Sequence, residues 1–361
     1  MSEAGPAARS LARCRARPAL PHPGHPDRAW IGAVRSALDW WAGADPASPT
    51  SSVLGGGAIA AAEAAFSERH DGRPALLLPS ATYALRVALQ VVGVTPGDEV
   101  ICGAIDWPSG YAAILSLGAV PVPVAADPRT LTLAATAAAT ARTRRTRAVI
   151  ACHLHGICAD VPAIARLLPG VAVIEDAAQA FGCRLDGRLA GTMGDAAVLS
   201  LGPGKQIDAG EGGVLLCDGL AAHDRAVMVA CHPLRKLLAG LPGPDPGTLA
   251  IRPHPVAAVM AVHQLASWSE SDARSRHTVT ARRLTGHPAA RVLGDARRHV
   301  SCRPQVPVLL NAAGAGPPPG VGWTTSGAQI LPGLAVADVR AAKRLLSRVR
   351  LAVAVTGEAD W

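Results

Sequence analysis

Lysine is almost missing from this chain: Lys and Arg together number 35, yet only Lys205, Lys236 and Lys343 carry an amine. Arginine serves as a scattered solubilising cation, so each rare amine invites a chemical reading. Aromatic residues make up 3%, and no basic run is interleaved with them, which excludes a nucleic-acid groove. The cysteines, at 14, 102, 152, 158, 183, 217, 231 and 302, form no CxxC pair and no Cys/His cluster at zinc-finger spacing, so no metal is expected. Cys102, Cys152 and Cys217 sit in apolar runs, where cysteine acts as a small buried hydrophobe, and reduced thiols in the cytoplasm are expected. No 18 uncharged apolar residues run together, which argues against a membrane span. Arginine interrupts each apolar stretch of the first twenty residues, so the apolar segment of a signal peptide is not expected. Charged residues at 17% against 49% hydrophobic exclude gross disorder.

What is present is enough for about two domains, at ~150 residues each, in 361 residues of formal charge +8. That basic balance is compatible with an anionic ligand such as a phosphate. Residues 1–28 are rich in Pro, Arg and His without periodicity and read as a poorly ordered lead-in. Helices are expected over 30–41 and 58–70. From Pro74, short apolar runs alternate with helix-length segments: ALLL, TYALRVALQVVG, EVICGA, SGYAAILSLG, VPVPVAA, then RAVIACHL, ADVPAIARLL and VAVIED. This is the pattern of βαβ units, so the fold class is α/β with a mostly parallel sheet flanked by helices. VPVPVAA, marked by proline, is expected at an edge. DAAVLSL and EGGVLLCD continue as strands. A Pro/Gly-rich loop over 237–255 precedes a helix opening at Pro255, and ADVRAAKRLLSRVRLAV reads as a closing helix. The division expected is a large domain over 29–234 and a small C-terminal α/β domain over 235–361.

Strands ending in polar residues, such as Asp176 and Ser200, direct attention to the carboxyl edge of the sheet, where open α/β sheets bind ligands. The densest stretch, 173–219, holds an Asp at a strand end, a Ser five residues before Lys205, and a glycine-rich surround that permits close backbone approach. Lys205 in a solvated loop would be an ordinary cation; desolvated among strand ends, its amine can condense with a carbonyl. The order EDAAQA, GDAAVLS, a lysine five residues past the serine, then GEGG resembles the DegT/DnrJ/StrS family of fold-type I aminotransferases, which depend on pyridoxal 5'-phosphate (PLP) and act on sugars. PSATYALRVALQVVGVTPGDEVI resembles that family's phosphate-binding turn and helix. The likeness extends over about 28–350 and is most specific in the central stretch.

Carried onto this sequence, the resemblance implies that Lys205 holds PLP covalently and moves the substrate proton. Asp176 pairs with the pyridine nitrogen; its plainer reading is a helix cap after a strand. Ser200, Ala81 and Thr82 bind the phosphate at a helix start, with Ala81 standing where the family has glycine. Trp107 stacks on the ring, and Gln179 lies near the phenolic oxygen or the Asp. His153 and His155, at i and i+2 after a strand, would face opposite sides and cannot readily chelate one ion, so they read as structural or site-lining. Glu211 reads as a loop residue. Arg252 matches a family arginine, but Ala250 and Ile251 replace the Asn and Tyr before it, and that Asn makes a cross-subunit phosphate contact. The implied activity is transfer of an amino group from glutamate or glutamine to a ketone on a nucleotide-linked sugar or cyclitol, by a homodimer. A dehydratase, epimerase or oxidase on the same fold, or a catalytically silent partner subunit, are the alternatives. Dehydrating members carry His in place of the Lys, and a silent one would lack Lys205 or Asp176, so the residues present favour transamination.

Overall fold

A computed structural model describes residues 27–44, 54–242, 250–284, 286–288, 290–303, 305–310, 317, 321–325, 328–330 and 336–354. The lead-in read over 1–28 lies outside these residues except for Asp27 and Arg28, which open the first helix. In chain order the elements are α1 (Asp27–Ala44), α2 (Ala58–Arg69), β1 (Ala75–Leu78), α3 (Ala81–Val91), β2 (Glu99–Gly103), α4 (Pro108–Leu115), β3 (Val120–Val124) and α5 (Ala135–Ala141). Then follow β4 (Thr146–Cys152), α6 (Val161–Leu167), β5 (Ala172–Asp176), β6 (Ala196–Ser200), β7 (Gly213–Cys217) and α7 (Leu220–Ala230). The remainder comprises α8 (Pro233–Leu238), α9 (Pro255–Ser267), α10 (Glu270–Leu284), β8 (Ala290–Val292), β9 (Val306–Leu310), β10 (Val321–Thr325), α11 (Val336–Leu346) and β11 (Val349–Ala354).

The main sheet has the order β1-β7-β6-β5-β4-β2-β3. Only β7 runs against its neighbours, β1 and β6. The strands are apolar on both faces because helices cover both. Along β1 the side chains alternate: Ala75 and Leu77 pack with α1, α2 and α9, whereas Leu76 and Leu78 pack with α3 and α7. In β4, Val149 and Ala151 likewise face α5 and α6, opposite Ala148 and Ile150. The Pro-marked β3 is an edge strand, as the sequence pattern predicts; its missing N–H groups at Pro121 and Pro123 cost nothing on the open side.

A second, antiparallel sheet, β8-β9-β11-β10, lies in the C-terminal part. Here one expectation fails. The stretch read as a single closing helix over 337–353 is a helix only to Leu346; after a turn at Ser347 and Arg348 it returns as β11 between β9 and β10. The run Val349–Ala354 is short and rich in small and β-branched residues, and pairing on both sides outweighs continuation of the helix. Near the main sheet, Ile105–Asp106 pairs with Gln329–Ile330, tying this second unit to the end of β2.

Candidate active site

Beyond the carboxyl ends of β4, β5 and β6 lies a cavity of about 340 Å³. Ala81, Thr82, Trp107, Asp176, Gln179, Ser200 and Lys205, singled out in the sequence, all line it. They arrive from separate elements: two from the start of α3, one from the start of α4, one from the end of β5, Gln179 from the turn that follows it and one from the end of β6, while Lys205 stands in the loop joining β6 to β7. A cavity of this size accommodates a small ring bearing a phosphate.

One end of the cavity is an anion cradle. Ser80 caps α3, its Oγ accepting from the Tyr83 N–H at 3.2 Å, which leaves the N–H groups of Ala81 and Thr82 without a partner at the positive end of the helix. Thr82 Oγ1 donates to Ser109 Oγ at 2.9 Å, and Ser200 adds a third hydroxyl. The methyl of Ala81 packs with the apolar layer of α3, and its N–H remains available. The first turn can lie this close to β7 because residue 213 is glycine: a Cβ there would fall on the Ser80 carbonyl and the Ala81 nitrogen.

The opposite end carries the titrating groups. Burial pushes the Lys205 ammonium down to about 8, with Arg303 adding to the effect and Asp176 opposing it. Its Nζ lies 6.0 Å from the centre of the Trp107 indole. The lysine loop is pinned by Asp208, which accepts from Gly204 N at 2.8 Å and Gly210 N at 2.9 Å, and by Gln206, which donates to the Phe181 carbonyl at 3.0 Å. Gln264 holds the Asp208 backbone from α9, accepting from its N–H and donating to its carbonyl. Asp176 is buried and its pKa is raised by that burial; Oδ1 accepts from Ala178 N at 3.0 Å, while Oδ2 takes no hydrogen bond. Gln179 Oε1 accepts from His155 N at 2.8 Å and from Arg303 Nη1 at 3.1 Å, so Nε2 is what this side chain has to donate.

The two histidines do not share a strand. His153 follows β4, and His155 sits in a tight turn with φ 56°, so the alternation expected of i and i+2 does not apply. His153 Nδ1 accepts from Ala159 N at 3.0 Å, which places its proton on Nε2, donating to Glu175 at 2.8 Å. Glu175 also accepts from the N–H groups of Gly191, Met193 and Gly194, making the pair a buried brace for the 189–194 turn. No His/Cys/Asp/Glu group suited to a metal ion occurs among the described residues. Arg252 lines a separate cavity of about 800 Å³ that meets the smaller one at Pro203, Glu211 and Gly212. Glu211, read as a loop residue, thus borders both.

Several residues of this site escape sequence reasoning. Ser109 follows Pro108 at the start of α4, and only the tertiary approach of α4 to α3 makes it a partner of Thr82. Asp106 is 4% exposed, and burial lifts its pKa to about 7; its Oδ1 accepts from Trp107 N at 2.7 Å and so fixes the indole. Its place immediately before Trp107, at the end of a strand, was an available signal. Arg303 lies 124 residues beyond Gln179 along the chain, and no local pattern announces it.

The model of the DegT/DnrJ/EryC1/StrS aminotransferase family matches residues 47–291. Over 165 residues the chain is 39% identical to the 3-amino-5-hydroxybenzoate synthase of Amycolatopsis mediterranei (strain S699), covering 45% of this chain and 42% of that protein. It is 38% identical, also over 165 residues, to the L-glutamine:2-deoxy-scyllo-inosose aminotransferase of Micromonospora echinospora, covering 45% and 39%. The matched stretches thus span about two fifths of the length of these relatives. Among solved structures, that of a 3-amino-5-hydroxybenzoic acid synthase superposes with a TM-score of 0.66 at 30% identity, covering 81% of this chain and 75% of the other. Among the described residues, no helix is long and apolar enough to cross a membrane.

Proposed function

Because the chain belongs to the DegT/DnrJ/EryC1/StrS aminotransferase family, we propose that it is a PLP-dependent aminotransferase that carries an amino group from L-glutamine or L-glutamate to the ketone of a cyclitol or a nucleotide-linked sugar. The observation that carries this reading is that the Lys205 amine, the Asp176 carboxylate and the unpartnered N–H groups of α3 open on one cavity. The names of the relatives support the donor and the class of acceptor.

When bound, PLP supplies an electrophilic carbonyl carbon and an electron-accepting ring. The Ala81 and Thr82 N–H groups would hold the phosphate together with the hydroxyls of Thr82, Ser109 and Ser200. Asp176 Oδ2, lacking a hydrogen bond, would keep a proton on the ring nitrogen, and the Trp107 indole would give the ring a flat apolar surface to rest against. The Gln179 Nε2 donates toward the phenolic oxygen. Lys205 Nζ would hold the cofactor and, when free, would take the proton from the substrate carbon and return it, a task suited to an amine whose pKa is near the working pH.

The chain acts as a homodimer, divided into a large unit over 29–234 and a smaller one over 235–361. Support for the dimer comes from Leu234, Leu237 and Leu238 of α8, exposed at 46%, 70% and 68% in the single chain. Support for a cytoplasmic setting comes from the cysteines, which are all free among the described residues. The test combines two measurements. Adding PLP should produce the visible absorbance of a lysine-bound cofactor in the wild type and not in Lys205→Ala. A ¹⁵N-labelled donor should pass its label to a keto-cyclitol or keto-sugar. Absence of the band in the wild type refutes the cofactor, and a product without label refutes amino transfer.

A further inference from the structure

Arg303 has the chemistry of a substrate-binding residue. Its side chain reaches Gln179 and Gln305: Nη1 donates to Gln179 Oε1 at 3.1 Å, while Nε and Nη2 donate to Gln305 Oε1 at 3.2 and 3.1 Å. Both partners are neutral amides. Arginines nearby meet carboxylates, Arg298 those of Asp160 and Asp186 and Arg184 that of Glu270, but among the described residues no carboxylate pairs with Arg303. Burial lowers the Arg303 pKa and the Cys183 thiol alone opposes it; a guanidinium withdrawn from bulk water with no carboxylate against it is costly, and an anion arriving from solution would relieve that cost. The charge is felt where the chemistry would occur: it helps to depress both Lys205 and His155. Its position is fixed as well, since the Arg303 backbone N–H donates to Ser301 Oγ at 3.3 Å and its carbonyl accepts from His277 Nδ1 at 2.8 Å.

The donor count identifies the ligand. A guanidinium has five N–H groups, and three are engaged here, leaving one on Nη1 and one on Nη2. Two N–H groups on the terminal nitrogens match the two oxygens of a carboxylate better than a single hydroxyl or ketone. We propose that Arg303 is the docking group for a substrate carboxylate, presented beside Lys205 and oriented by the two glutamine side chains. The proposal rests on the aminotransferase reading. Both half-reactions can supply the carboxylate: every amino-acid donor carries one, and a carboxylated cyclic ketone would bring another.

Glutarate, which has the two carboxylates of glutamate and no amine, is the probe. Calorimetry is run on the protein with and without PLP, for wild type, Arg303→Gln and Arg303→Lys. Arg303→Gln should weaken glutarate binding by about tenfold to a hundredfold, the loss of a charge-assisted pair. Arg303→Lys, which keeps the charge and loses the fork, should fall between and guards against misfolding of the first variant. PLP affinity should stay within a few-fold. To separate the sources, KM and kcat are read for the half-reaction with L-glutamine, and for a neutral and a carboxylated cyclic ketone at saturating donor. A KM rise confined to the donor assigns the donor's carboxylate; one confined to the carboxylated ketone assigns the acceptor's. Equal glutarate affinity in wild type and both variants overturns the proposal, as does absence of glutarate binding to wild type. Parallel loss of PLP affinity in Arg303→Gln also overturns it, because the guanidinium would then serve the cofactor through Gln179. If PLP fails to bind any form, the aminotransferase reading falls, and glutarate binding to the cofactor-free protein still decides the role of Arg303.

Discussion

Replacing Lys205 with methionine is expected to make the cofactor-free protein more stable at neutral pH. Burial brings the native ammonium to about 8 from an ordinary 10.5. Between those values the unfolded chain holds a proton that the native chain does not, so wild-type stability rises with pH across that window, and below it the native fold bears the whole cost of the buried ammonium. The gap of 2.5 pH units, at ~1.4 kcal/mol each, amounts to about 3 kcal/mol. Lys205 keeps part of its side chain in contact with water, which reduces the working figure to about 2 kcal/mol. Methionine retains the apolar stem and deletes the charge. Urea unfolding without PLP, at steps from pH 7 to pH 10, should show the variant about 2 kcal/mol ahead at pH 7, with the advantage shrinking steadily toward pH 10. A constant difference, or one that grows with pH, would refute the assignment of the cost to ionisation.

Gly213→Ala should drive the first turn of α3 off β7, because the obstruction is backbone rather than a flexible side chain; PLP affinity, read by absorbance titration, should fall by about tenfold or more. Arg235 clamps Glu63 through contacts of 2.7 and 3.1 Å, with both side chains largely buried. Arg235→Ala strands that carboxylate and should cost about 3–5 kcal/mol in urea midpoints. Burial opposes the charge on Glu175, but His153 and the surrounding N–H groups outweigh it and hold its pKa below the ordinary range. Glu175→Gln turns an amide nitrogen toward those donors and should cost about 2–3 kcal/mol; the difference from wild type should narrow as pH falls below the carboxylate range, where the native charge is lost. For Asp106 the sign reverses. A native pKa of about 7 against an ordinary 3.8 means that wild-type stability declines as pH rises between those values. Asp106→Asn should therefore gain at pH 8 by up to about 4 kcal/mol relative to its effect at pH 4, and an unchanged difference across that range would exclude Asp106 as the titrating group.

The parts of the molecule legible in advance were those in which one residue type has one physical use. Runs such as ALLL and VAVIED must be buried on both faces, so their identity as strands of a sheet covered by helices followed from composition alone, although ALLL lies at one end of the strand order. Lys205 was conspicuous because amines are so rare. Direction was harder: nothing within Gly213–Cys217 tells the reader that this strand opposes its neighbours, because pairing sense is decided by the length of the preceding loop and by β1. The closing strand Val349–Ala354 was read as helix because its Arg and Ala residues suit either state and only two flanking strands decide between them. Arg303 was invisible for a different reason. An arginine in a sequence rich in arginine carries no signal until its neighbours prove to be amides.

The two residues that bound the lysine loop, Ser200 and Gly213, are register partners on adjacent strands, and the second of those strands also completes the seat of α3 through β1. A ribosome-bound chain that has emerged only as far as residue 210 would therefore own the reactive amine but lack the strand against which the first turn of α3 is seated.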